Sequence, residues 1–273
     1  TTARTADDYL AQARSSSLVK GRAQTVIRLA EQSLKLRKTS EGFFLVGTNK
    51  HNLKDYQGAI ADLNKAIEID PQFAGAYNNR GNAKSDLGDT QGGIADYNKA
   101  IEIDPQFAGV YYNRGIIKRE LKDYQGAIAD LNKAIEINPQ YADAYTNRGN
   151  AKSDLGDHQG AVADLNKAIE INPQDVPAYN NRGAAKYKSG DYQGAIADYN
   201  KAIAIDPQLA DVYYNRGRAK YKLKDYQGAI ADYNNAIEID PQDTDAYNNR
   251  GLAKSNLKDY QGAISDHNKA IAI

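Results

Sequence analysis

Pro71, Pro105, Pro139, Pro173, Pro207 and Pro241 follow one another at a constant interval of 34 residues. A chain that repeats at this interval is a stack of similar small units, each resting on its neighbours, and such stacks build long surfaces rather than enclosed catalytic pockets. The copy from Ala74 to Pro105 shows what one unit is. Ala76, Tyr77, Gly81, Ala83 and Leu87 recur at helical spacing, which predicts a first helix over 74–87. Gly88 and Asp89 interrupt it, and Asp89 is a suitable N-cap for a second helix whose inner stripe is Gly93, Ile94, Tyr97, Ala100, Ile101 and Ile103. Asp104 and Pro105 end that helix, because proline disfavours a helical residue before it. The chain is therefore expected to be all-α, with two antiparallel helices per copy.

Small residues mark where the helix axes must approach. Gly81 faces Gly93 and Ala100, and other copies place Gly115 with Ala127 and Ala134, or Gly149 with Ala161 and Ala168. No copy can bury its stripe alone, so each must stack on the next to build a core.

The run Tyr145, Gly149, Ala161, Leu165, Ala168 and Pro173 resembles the pattern of the tetratricopeptide repeat (TPR) family, which passes from an aromatic through glycine and two alanines to a proline. Seven copies, beginning near Ser40, Ala74, Ala108, Ala142, Val176, Ala210 and Thr244, make residues 40–273 a tandem array in one continuous stack. The resemblance implies a right-handed α-solenoid of stacked antiparallel helix pairs with its first helices lining a concave groove. Two departures recur. The leucine expected before the glycine is Arg80, Arg114, Arg148, Arg182, Arg216 and Arg250; the tyrosine expected three after it is Lys84, Lys118, Lys152, Lys186, Lys220 and Lys254. Arginine at a half-buried site needs a partner, since an unpaired buried charge costs several kcal/mol. Asp96, Asp130, Asp164, Asp198, Asp232 and Asp266 recur on the second helix, so a ladder of Arg to Asp pairs is expected. An arginine row that grips phosphate or nucleic acid is the alternative.

Residues 1–39 depart from the pattern. Eight basic side chains (Arg4, Arg14, Lys20, Arg22, Arg28, Lys35, Arg37, Lys38) stand against Asp7, Asp8 and Glu31, a net of +5 that leaves −5 for the remainder. Val26, Ile27, Leu34 and Leu36 echo Ala59, Ile60, Ile67 and Ile69, which suggests a degenerate capping repeat, with a basic membrane-surface helix as the alternative. The last copy stops at Ile273 without a polar closing helix, so either the natural chain continues or that end of the stack meets another molecule, end-to-end association of copies being the expectation in the second case.

Lys plus Arg and Asp plus Glu are each 35, so no overall field favours nucleic acid. No stretch has the apolar length of a membrane helix, and no insertion is expected. Cysteine is absent and names no compartment; methionine is absent even at the start, so a cytoplasmic chain and an exported one that lost a signal stay equally open. No catalytic residue, metal site or cofactor is expected. His51, His158 and His267 fall in different copies, and there is no phosphate-binding glycine loop.

The candidate site lies on the first helices. Two residues before each glycine stands Asn79, Asn113, Asn147, Asn181, Asn215 or Asn249. A side-chain amide offers a donor and an acceptor together and can hold a peptide backbone as a neighbouring strand would. The arrangement is similar to the asparagine ladder in the repeat domain of O-linked N-acetylglucosamine transferases; the plainer use is a bond to the adjacent helix. Later in each first helix come Asp86, Glu120 and Asp154 early in the chain but Lys188 and Lys222 later, so the groove turns from acidic to basic. Tyr187, Tyr214 and Tyr221 with Arg218 reinforce the basic half, and Tyr112 with Arg119 stand in an earlier copy. An extended peptide with its acidic or aromatic part near 187–222 is the expected ligand. The lysine of the family's carboxylate clamp has no counterpart, since Asn78, Tyr112, Thr146, Asn180, Tyr214 and Asn248 fill the neighbouring place. Three functional classes follow: a non-catalytic scaffold binding a protein or peptide, similar to bacterial arrays that assist complex assembly; an RNA-binding helical repeat; and a regulatory arm of a larger enzyme.

Overall fold

A computed structural model describes residues 4–19 and 21–273; Lys20, counted above among the basic side chains, lies outside the described residues, as do residues 1–3. Sixteen α-helices and no strand are found among the described residues. They fall into two compact units, one ending at Asn138 and one spanning Pro139–Ile273. The first holds α1 (Ala6–Ser17), α2 (Ala23–Leu36), α3 (Ser40–Asn52), α4 (Tyr56–Ile69), α5 (Ala74–Asp86), α6 (Thr90–Ile103), α7 (Ala108–Glu120) and α8 (Tyr124–Ile137). The second holds α9 (Ala142–Asp154), α10 (His158–Ile171), α11 (Val176–Lys188), α12 (Tyr192–Ile205), α13 (Ala210–Lys222), α14 (Tyr226–Ile239), α15 (Thr244–Asn256) and α16 (Tyr260–Ala272). Odd helices open a pair and even helices close it.

Local chemistry sets these boundaries. Each regular second helix begins at an aspartate whose carboxylate accepts the backbone N–H three residues on, as Asp123 does from Gly126 at 2.9 Å. At its end, Asp104 Oδ1 accepts the Gln106 N–H at 2.9 Å and folds the chain around Pro105. The turn between the helices needs a left-handed residue, supplied by Gly88, Gly156 and Gly190 in some copies and by Lys54, Lys122, Lys224 and Lys258 in others.

Packing within a pair is set by a large residue opposite a glycine. Leu63, Tyr97, Leu131, Leu165, Tyr199 and Tyr233 are fully buried, and a Cβ on Gly183 would stand 2.6 Å from the Tyr199 ring. Burial pushes the Tyr97 phenol up to about 12. Alanines such as Ala83, Ala100, Ala127 and Ala185 close the remaining gaps with no exposure. Leu87, expected on this stripe, is 48 % exposed, because it lies past the last turn of α5 where the chain bends toward α6. Ile94, Ile101 and Ile103 are half-buried rather than central.

Within each unit an even helix also packs on the odd helix that follows it, as α4 does on α5 and α12 on α13. Odd helices touch one another in sequence, α1 to α3, α5 and α7 in the first unit and α9 to α11, α13 and α15 in the second, whereas no two even helices touch within either unit among the described residues. Each unit therefore closes toward its odd helices and opens on the even side. At the start, Leu10, Ala13, Val26, Leu29 and Ala30 of α1 and α2 share a core with Leu45 and Val46 of α3. The apolar stripe of α2 is thus covered by protein, apart from Leu36, which is exposed.

Candidate protein-binding face

The arginines that break the sequence pattern form the expected ladder. Arg114 on α7 donates Nε and Nη2 to Asp130 at 2.8 and 2.5 Å, and Nη1 to Asn98 Oδ1 on the preceding α6 at 2.6 Å. Its guanidinium lies 5.8 Å from the Tyr111 ring centroid. Arg80, Arg148, Arg182, Arg216 and Arg250 pair likewise with Asp96, Asp164, Asp198, Asp232 and Asp266. Each rung ties three helices together, and its bidentate geometry leaves no guanidinium fork for phosphate. The recurring lysines stand in the sequence only as departures from the family pattern. They are second partners: Lys118 reaches Asp130 Oδ2 at 2.8 Å, and Lys84, Lys152, Lys186, Lys220 and Lys254 do the same. The constant interval from each lysine to its aspartate was the available signal. Burial pushes the Asp266 carboxyl up, but hydrogen bonds from Arg250 and Lys254 outweigh it and hold the group below its ordinary value.

With the pairs locked, the odd helices present one face per unit. On it the asparagine amides bind chiefly to the helix before. Asn113 donates to Asn78 Oδ1 at 3.0 Å, Asn78 to Asn79 Oδ1 at 3.0 Å, and Asn79 to Thr48 Oγ1 at 2.8 Å, a relay across α7, α5 and α3. In the second unit Asn215 reaches Asn180 at 3.4 Å and Asn249 reaches the Tyr214 hydroxyl at 3.0 Å. Asn147 bonds its own helix at Asp143 O. Asn181 is half-buried on α11 and makes no side-chain hydrogen bond among the described residues.

The aromatic and basic candidates of the second unit come together on α11 and α13. The Arg218 guanidinium stands 4.8 Å from the Tyr187 ring and 5.7 Å from the Tyr214 ring, and unlike the ladder arginines it pairs with no carboxylate among the described residues. The rings are braced in turn: Tyr187 edge-on to Tyr192, Tyr221 edge-on to Tyr226, and Tyr221 OH accepting from Asn256 at 3.0 Å. Lys188 and Lys222 end their helices exposed and without an ion pair among the described residues. In the first unit Tyr112 and Arg119 occupy on α7 the places of Tyr214 and Tyr221, but Ile116 replaces Arg218. There the acidic groups are partly committed, with Asp86 paired to His51 at 2.7 Å beside a cavity of about 240 Å³ that Glu120 also lines. His267 lies against Gly251 with Nδ1 3.2 Å from Asn248 Oδ1, a packing role.

Comparison with known proteins agrees with this architecture. The crystal structure of MamA is similar at 28% identity and a TM-score of 0.55, over 58% of this chain and 92% of that one. YrrB, described as a TPR protein with an unusual peptide-binding site, is similar at 27% identity and a TM-score of 0.57, over 67% of this chain and 95% of its own. A tetratricopeptide repeat protein from Parabacteroides merdae shares the fold at 19% identity and a TM-score of 0.65, over 91% of this chain and 98% of that one. The family model described as TPR repeat matches residues 50–88, 81–121, 117–156, 149–190, 185–224 and 217–258, and a second, tetratricopeptide repeat, matches 244–273. Helix pairs of fixed length, a glycine at each crossing and these matches from residue 50 onward lead to one assignment: the chain belongs to the tetratricopeptide repeat family.

Proposed function

We propose that the odd-helix face of the second unit binds an extended, acidic segment of a partner protein. As a TPR array the chain is a protein-interaction scaffold, and the proposal concerns where and what it binds. Arg218 carries it: a guanidinium held between two tyrosine rings, with its hydrogen-bond donors uncommitted to any carboxylate among the described residues. Stacking fixes the fork without neutralising it, so a carboxylate of the ligand completes the geometry that Asp130 completes for Arg114. Tyr187, Tyr214 and Tyr221 supply rigid contact area, Lys188 and Lys222 line the approach, and the Asn181 amide is available to the peptide backbone. YrrB's peptide-binding site is consistent with this use of the fold. In the same reading α1 and α2 cap the first unit, and a bound segment joins the scaffold to a larger assembly.

Fluorescence polarisation with a glutamate-rich and a lysine-rich peptide of equal length, each bearing one tyrosine, tests the claim. Lys188→Glu with Lys222→Glu should weaken the glutamate peptide about tenfold or more and spare the other. Equal affinity of wild type and variant for the glutamate peptide contradicts it.

A further inference from the structure

One rung of the ladder lacks its arginine. In the first regular copy Val46 stands where Arg80 stands in the second, while Phe43, Lys50 and Asp62 keep the places of Tyr77, Lys84 and Asp96. A cavity of about 540 Å³ opens there, and these four residues line it. Lys65 has taken over the work of the arginine. Its Nζ lies 5.2 Å from the Phe43 ring centroid and 3.1 Å from Asp62 Oδ1, while Lys50 holds Asp62 Oδ2 at 2.6 Å. The buried carboxylate is therefore satisfied twice over from inside the chain.

The cavity wall nevertheless carries two more cations, Lys35 in the last turn of α2 and Lys38 in the connector that follows it, both exposed and without an ion pair among the described residues. Against four ammonium groups the lining sets Asp62 and one other carboxylate, Glu31. Its floor is apolar, made by Leu34, Phe43 and Val46. We propose that this cavity is a second docking site, for an acidic segment of a partner protein that seats one apolar side chain on the floor and its flanking carboxylates on Lys35 and Lys38. An open pocket of this size, with apolar side chains beside the exposed Lys35 and Lys38, has room for one apolar side chain flanked by carboxylates. The site lies in the first unit, among α2, α3 and α4, and does not depend on the reading of α11 and α13.

The test uses the full chain carrying Lys188→Glu, Arg218→Glu and Lys222→Glu, so that the basic groups of α11 and α13 are reversed. The probe is a fluorescein-labelled peptide with a Leu-Phe pair between glutamates, compared with its lysine counterpart, phosphatidylglycerol vesicles and oligouridylate. Binding of the glutamate peptide is expected, weakened about tenfold by Lys35→Glu with Lys38→Glu and similarly by Val46→Arg, which rebuilds the rung and fills the cavity. Circular dichroism checks the fold of each variant, and the surface double variant decides alone if Val46→Arg does not fold. Undetectable binding, binding unchanged by a folded variant, equal binding of the lysine peptide, or preference for vesicles or RNA would overturn the proposal.

Discussion

Asp130 is 5 % exposed and holds Arg114 and Lys118 at once, so its carboxylate is the point on which two half-buried cations depend. Removing it leaves both uncompensated. Asp130→Ala is expected to destabilise its unit by about 3 kcal/mol, read as a lowered urea midpoint with helical content retained at low urea. Asp266 gives the same rung a pH signature. Its folded pKa is depressed below the ordinary value of 3.8, so the bridge contributes fully above about pH 4 and is lost as pH falls through the folded value. In Asp266→Asn the acid limb of the stability profile below pH 4 should be shallower than in wild type, as thermal melts across pH 2–6 will show. In the proposed site Arg218 is the reverse case: it lies 4.8 Å from the Tyr187 ring and pairs with no carboxylate among the described residues, so a carboxylate of the ligand would supply the missing half.

At the scale of the helix pair, the turns differ more than the helices do. Gly88, Gly156 and Gly190 enter the left-handed region at no steric cost, whereas Lys122 sits there at φ 63° with a Cβ that crowds its own carbonyl. Lys122→Gly should stabilise the α7–α8 pair by about 0.5–1 kcal/mol, the relief of strain exceeding the added entropy of the unfolded chain. Helices, caps and the proline-bounded connectors were legible in the sequence because one short motif sets each of them. Leu87 departs from the expected stripe because helical periodicity does not report where the partner helix ends, and a residue past the last shared turn keeps its phase but loses its cover. The double occupancy of each aspartate was also in the sequence, as an interval between Lys118 and Asp130 that recurs in later copies.

At the scale of the molecule, repetition made the fold readable and the function less so. Similar copies determine stacking many times over, while both proposed binding sites rest on positions where copies disagree, Arg218 against Ile116 and Val46 against Arg80. The asparagine column shows the limit. Its amides were read as peptide contacts or as bonds between neighbouring helices; the second use is seen at Asn79, Asn113, Asn215 and Asn249, and Asn181 keeps an amide free of such bonds among the described residues. The most direct measurement is a ¹⁵N side-chain amide titration of the full chain with the glutamate-rich tyrosine peptide. Shifts at Asn181, Asn215 and Asn249 that saturate together, with Asn200 and Asn234 on the even helices unmoved, are the predicted result. Saturable shifts confined to the even helices, or none at all at millimolar peptide, would contradict it.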